Sequence, residues 1–70
     1  MHPILKDLQK GQSSVDAIRL RLGVHGDIIA AELLRYKADG LVEDRFINHL
    51  ITVYRLTPKG HQLLADLATA

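Results

Sequence analysis

The sequence predicts an α+β fold, mostly α, with three helices, a two-stranded β-hairpin and a C-terminal helix in one domain over residues 1–70. Three observations carry this expectation. Apolar residues recur at helical spacing through three segments that end at Gly11, Gly23 and Gly40. β-Formers then dominate from Leu41 to Leu56, and Thr57-Pro58 introduces a leucine-rich end.

Pro3 suits the first turn of a helix, and Ile4, Leu5 and Leu8 fall on one face before Gly11 ends the segment. Ser13 followed by Asp16 places a hydroxyl cap and an acid at the start of a second helix, where unpaired N–H groups and the dipole favour both. Val15, Ile18 and Leu22 form its buried stripe, and Gly23 permits the sharp turn that follows. The third helix is expected to begin near His25 to Asp27 and to run to about Asp39, with Gly40 as its stop. Ile29, Leu33 and Tyr36 share its inward side. At roughly 100° per residue, Asp27, Ala31, Leu34 and Ala38 project the opposite way, flanked by Ile28, Ala30 and Arg35.

LVEDRFI and LITVYRL, separated by Asn48 and His49, predict a hairpin with a two-residue turn in which Ile47 faces Leu50 and Leu41 faces Leu56. Both faces of that ribbon are partly apolar, whereas a ribbon with one solvated side alternates cleanly, so a covering element is expected. Thr57 and Pro58 cap and open the last helix, where Leu63, Leu64, Leu67 and Ala68 form an apolar stripe and Gly60 weakens the first turn. Core packing is the default for Tyr36, Tyr54, Phe46 and these leucines.

Seventy residues, of which 47% are hydrophobic, support a compact core of modest stability. The chain has no cysteine, which removes disulfides, thiolate metal sites and a thiol nucleophile and fits a reducing, cytoplasmic location. No apolar run approaches the roughly 20 residues needed to span a bilayer, so no membrane partner is expected. His2, His25, His49 and His61 contain no i, i+4 pair, and no metal or other cofactor is expected. Without a glycine-rich phosphate loop, a serine–histidine motif or a carboxylate pair in a cleft, nothing points to an enzyme.

The net charge of +1 says little about partners, but its distribution is uneven. Residues 27–44 hold Asp27, Glu32, Asp39, Glu43 and Asp44 against Arg35 and Lys37, whereas residues 45–61 hold Arg45, Arg55 and Lys59 with no acid.

LGV at 22–24, Ile29 and Leu33, DGLV at 39–42 and YRLTPKG at 54–60 together resemble the winged helix-turn-helix superfamily, most nearly the MarR-like and PadR-like bacterial transcriptional regulators. The likeness lies in order and spacing over residues 13–65. It implies a small regulator that docks on double-stranded DNA as a homodimer, with the third helix in the major groove and the hairpin wing on the backbone. Carried over by position, the groove-facing residues are Gly26, Asp27, Ile28, Ala30, Ala31 and Leu34, none of them basic. Ser13 and Ser14 match positions that meet a phosphate, and Arg45, Asn48 and His49 occupy the wing. Arg19, Arg21, His25 and Arg35 complete the expected DNA-contact set, with Lys37 and Arg55 also placed to frame a duplex.

Simpler readings stand beside these. Each cation alone is ordinary solvated charge, and Asp27 in a first helical turn gains about 0.3–1 kcal/mol from the dipole without any ligand. Ala30 and Ala31 suit close packing, and His25 and His49 suit a polar surface. Ile28, Leu34 and Leu20 fall outside the buried stripes, which marks either an interface or partial burial. A third helix so poor in positive charge also fits a second use, a protein contact anchored by Ile28, Ala31 and Leu34.

Overall fold

The structure, a computed structural model, describes residues 2–69. The chain runs α1 (Pro3–Leu8), β1 (Ser13–Ser14), α2 (Val15–Leu22), α3 (Gly26–Ala38), β2 (Val42–Ile47), β3 (Ile51–Leu56) and α4 (Pro58–Thr69). Ile4, Leu5 and Leu8 from α1, Ile18 from α2, and Ile29 and Leu33 from α3 close a core with Leu41, Val42, Leu56 and Leu64. The stripes expected for the first three helices face the core, with Val15, Leu22 and Tyr36 partly buried against the same cluster.

The sheet departs from expectation in two ways. It has three strands in the order β1-β3-β2, all antiparallel, because Ser13 and Ser14 pair with Tyr54 and Val53 along the free edge of β3. Two serines before a helix carry no alternation by which a strand is read, since only their partner makes them one. Ser14 rather than Ser13 is the helix cap, its Oγ accepting from the Ala17 N–H at 3.2 Å.

The second departure is the register. Asn48 and His49 form the expected turn, both with left-handed φ (54° and 60°), closed by the Leu50 N–H donating to the Ile47 carbonyl at 3.1 Å. Pairing resumes only at Ile51, opposite Ile47, so Leu50 is an extra residue and every partner along β3 shifts by one. Val42 therefore lies opposite Leu56, not Leu41, and both side chains enter the core. A slip of one would have put them on opposite faces. Phe46 is not a core residue as expected but 74% exposed. On α4, Leu64 is buried and Leu63 partly so, while Leu67 and Ala68 are exposed.

DGLV and YRLTPKG are distant in sequence and joined in space. Gly40, at φ 76°, ends α3: its N–H donates to the Lys37 carbonyl and that of Leu41 to Tyr36, closing the helix in a left-handed cap. The start of α4 docks on this cap. Thr57 Oγ1 donates to the Gly40 carbonyl at 2.6 Å and accepts from the Gly60 N–H at 3.1 Å. Lys59 Nζ donates to the Asp39 carbonyl at 2.8 Å, and the Thr57 N–H to that of Leu41 at 3.0 Å.

Among the described residues one charged side chain is buried. Asp7 on α1 receives a two-pronged contact from Arg21 of α2, Nε at 2.8 Å and Nη2 at 2.7 Å, and Arg21 also donates to Ser13 Oγ at 2.5 Å. The Arg21 guanidinium, by donating to it, holds the Asp7 carboxyl below its usual range, outweighing the opposing effect of burial. A carboxyl whose pKa is lower in the folded than in the unfolded chain binds fewer protons when folded, so its stabilisation is complete above the unfolded value and fades as pH falls through the folded one. Acid unfolding of the chain is expected to begin below about pH 4 and to be flatter in Asp7→Asn. Thermal melts of both proteins across the acid range check this.

Candidate nucleic-acid interface

α3 has two unlike sides. Ile29 and Leu33 are fully buried, whereas Asp27, Ala31 and Leu34 are exposed and Gly26 and Ala30 half-buried on the side facing away from the core. Leu34 is 63% and Ile28 52% exposed, so this surface is apolar and small with one acid at its start. The first turn of α3 lies beside α2 at a distance that a side chain would tolerate: a Cβ at Gly26 would meet Arg19 Cδ at 3.6 Å and Val15 Cγ1 at 3.8 Å, ordinary contact. The Arg19 side chain thus lies beside the first turn of α3, and its guanidinium also reaches Asp16 at 3.7 Å. His25 precedes the helix and makes no side-chain cap; its carbonyl accepts from the Ile28 and Ile29 N–H groups.

The cations expected to frame a duplex divide into two groups. Arg19 is paired loosely with Asp16 at 3.7 Å, Arg21 is engaged with Asp7 and Ser13, Lys37 with Asp44 at 3.0 Å, and Arg55 with Glu43 across the hairpin. Lys37 donates to Asp44 and lowers the pKa of that carboxyl. Arg35 and Arg45 are exposed with no carboxylate in ion-pair range among the described residues. Arg35 sits at the edge of α3, lining a cleft with His2, Glu32, Tyr36 and Asp39. Burial, ahead of the nearby Glu32, raises the Tyr36 phenol in that cleft.

Ser13 and Ser14 lie between α2 and the hairpin. Each Oγ already accepts one hydrogen bond, and each hydroxyl keeps its proton to donate, which suits a phosphate oxygen. Arg45, Asn48 and His49 are exposed on the hairpin. The structure therefore gathers the expected residues on α3, at the serine strand and along the wing, and sets Arg21 apart in an ion pair with α1. Sequence reasoning missed the apolar wing tip, where Phe46, Leu50 and Ile51 are exposed. The signal was present in the absence of polar residues around Asn48-His49, but the shifted register hid it.

The architecture matches solved regulators over almost the whole chain. PadR of Bacillus subtilis, solved in complex with operator DNA, superposes with a TM-score of 0.86 at 25% identity, covering 99% of this chain and 45% of that one. The chain belongs to the winged helix-turn-helix superfamily. A MarR-family protein from Enterococcus faecalis V583 gives a TM-score of 0.87 at 26% identity over 94% of this winged helix and 63% of its own length. A homodimeric winged helix-turn-helix DNA-binding domain from Mycobacterium bovis, a possible ArsR-family regulator, gives 0.80 at 30% identity, over 96% of this chain and 61% of that one. The winged helix described here thus spans about half to two thirds of these neighbours. No protein-family model matches the sequence, and a comparison with curated proteins gives no match.

Proposed function

We propose that residues 1–70 act as a single DNA-binding domain of a transcriptional regulator, with α3 in the major groove and the β2–β3 wing on the backbone. The observation that carries this reading is the superposition on PadR, solved with operator DNA, over 99% of the chain. The exposed outer side of α3 supports it, since the helix is anchored by Ile29 and Leu33 and leaves Ala30, Ala31 and Leu34 for thymine methyl groups and groove walls. Affinity comes from the rim, where Arg19, Arg35, Arg45 and the two serine hydroxyls neutralise or bind phosphates. With DNA as the partner, the location is cytoplasmic; among the described residues no helix is long and apolar enough to cross a membrane.

Arg35→Glu and Arg45→Glu each weaken binding to every duplex tested, and the double variant loses roughly 10- to 100-fold, with a salt slope shallower by about one per lost phosphate contact. Fluorescence anisotropy over a salt series reads both quantities. Unchanged affinity in the double variant contradicts the reading.

The active form is proposed to be a homodimer, the state of the Mycobacterium bovis neighbour. The surface offered for it is the open side of α4, where Leu67 and Ala68 flank a shallow groove with Lys6, Gln9 and Leu64. Leu67→Lys is expected to convert the dimer to monomer in sedimentation velocity while leaving the fold intact, because Leu67 is 48% exposed. A monomeric parent chain at high concentration removes this part.

A second reading is favoured by one observation, the exposed Ile28 and Leu34 on a face without cations. It makes the same side of α3 a protein-docking surface. Such a contact responds little to salt, whereas a DNA contact weakens steeply.

A further inference from the structure

We infer that the wing tip enters the minor groove of DNA as an apolar wedge, led by Phe46 and Leu50, and that the protein distorts the duplex it binds; this rests on the DNA-binding reading above. Every residue from Arg45 to Ile51 is exposed at the end of the hairpin, with Leu50 and Ile51 bordering an open groove against Ser14, Val15 and Asp16. Leu50 is 87% exposed, Phe46 74%, Ile51 53% and Ile47 38%. The extra residue in the turn places Leu50 at the tip. Phe46, opposite Thr52, continues the ribbon face on which Asp44 meets Lys37 of α3, while Ile47 and Ile51 pair on the other face.

Three properties of this tip select its occupant. It is convex, and an apolar projection needs a concave partner. It is small: the four side chains expose on the order of 400 Å², about half of the ~800 Å² that each partner of a stable protein pair contributes. The charge on its own residues is of one sign, because residues 45–57 contain Arg45 and Arg55 and no carboxylate, Arg55 is already paired with Glu43 at the base, and the acid that borders Leu50 and Ile51 from α2, Asp16, is paired with Arg19. A projecting hairpin with one free guanidinium beside bare apolar side chains matches a groove walled by phosphates and floored by base edges. Apolar side chains set against a base step there unstack it, most cheaply at pyrimidine–purine steps. This supplies what the wing lacks in cations, and it yields sequence preference through deformability where α3 has few hydrogen-bonding groups.

The test uses the full chain and a duplex of repeating TA steps carrying 2-aminopurine in place of several adenines, so that each binding register presents a probe. Binding is expected to raise the probe fluorescence about two-fold through unstacking, and Phe46→Ser with Leu50→Ser is expected to abolish the rise while α3 amide shifts on the same duplex persist. Both side chains are exposed, so the variant keeps its fold. Absence of a fluorescence rise in the parent protein, with α3 shifts present, overturns the wedge and leaves the DNA reading standing. Absence of both signals overturns the two together. A double variant that unstacks the duplex like the parent, or that changes oligomeric state instead, assigns the tip elsewhere and overturns the wedge.

Discussion

Replacing Gly60 with alanine is expected to destabilise the protein strongly, although alanine is the better helix former by about 1 kcal/mol. Gly60 lies in the first turn of α4 and is buried. A Cβ there would sit 2.2 Å from the Leu41 carbonyl oxygen and 3.1 Å from Leu56 Cδ2. The first obstacle is backbone and cannot rotate away. Relief requires α4 to back off the α3 cap, which strains the bonds that Thr57 and Lys59 make to Gly40 and Asp39. Overpacking of this type costs about 1–3 kcal/mol and more where backbone must move, which in a domain of this size lowers Tm by roughly 4–8 °C per kcal/mol. Ala65→Gly, on the exposed side of the same helix, serves as the reference, with only the ordinary propensity loss of about 1 kcal/mol. Calorimetry of the two variants reads the difference. A Gly60→Ala protein that melts at or above the parent refutes the close approach.

The second large effect lies on the inward side of α3. Ile29→Ala and Leu33→Ala remove side chains that are 0% exposed and are each expected to cost about 2–5 kcal/mol. A chain of this length has about 4–10 kcal/mol in total, so either variant unfolds substantially at modest urea concentrations. Leu34→Ala, one position on, removes a side chain that is 63% exposed and is expected to shift the urea midpoint little. The contrast between Leu33 and Leu34 fixes the rotation of α3 about its own axis, and hence which side is offered to a ligand. Equal losses at the two positions contradict that orientation.

The helices were legible because helical spacing is read from one segment at a time: Ile29 and Leu33 are inward, and Gly40 stops the helix as its place after Asp39 suggests. The turn at Asn48-His49 was legible for the same local reason. The register beyond it was not, since Leu50 is excluded from the ladder by pairing across the hairpin, and no property of Leu50 itself announces this. Ser13 and Ser14 became a strand only through β3, and Gly60 looked like a weak point in a helix until the Leu41 carbonyl above it was in view. Of the candidate interface, the positions on α3 follow from its phase. The engagement of Arg21 with Asp7 depends on how α1 crosses α2, a tertiary fact that a charge tally leaves unresolved.

α3, the serine strand and the wing are proposed to form one DNA-binding surface. Chemical-shift mapping with a mixed-sequence duplex at about 50 mM and about 200 mM salt tests it most directly. The predicted result is perturbation at low salt confined to amides near Ser13 and Ser14, along residues 26–35 and in the wing from Arg45 to Ile51, fading steeply at the higher salt. A spectrum left unmoved at low salt, or shifts confined to α1 and α4, would contradict it.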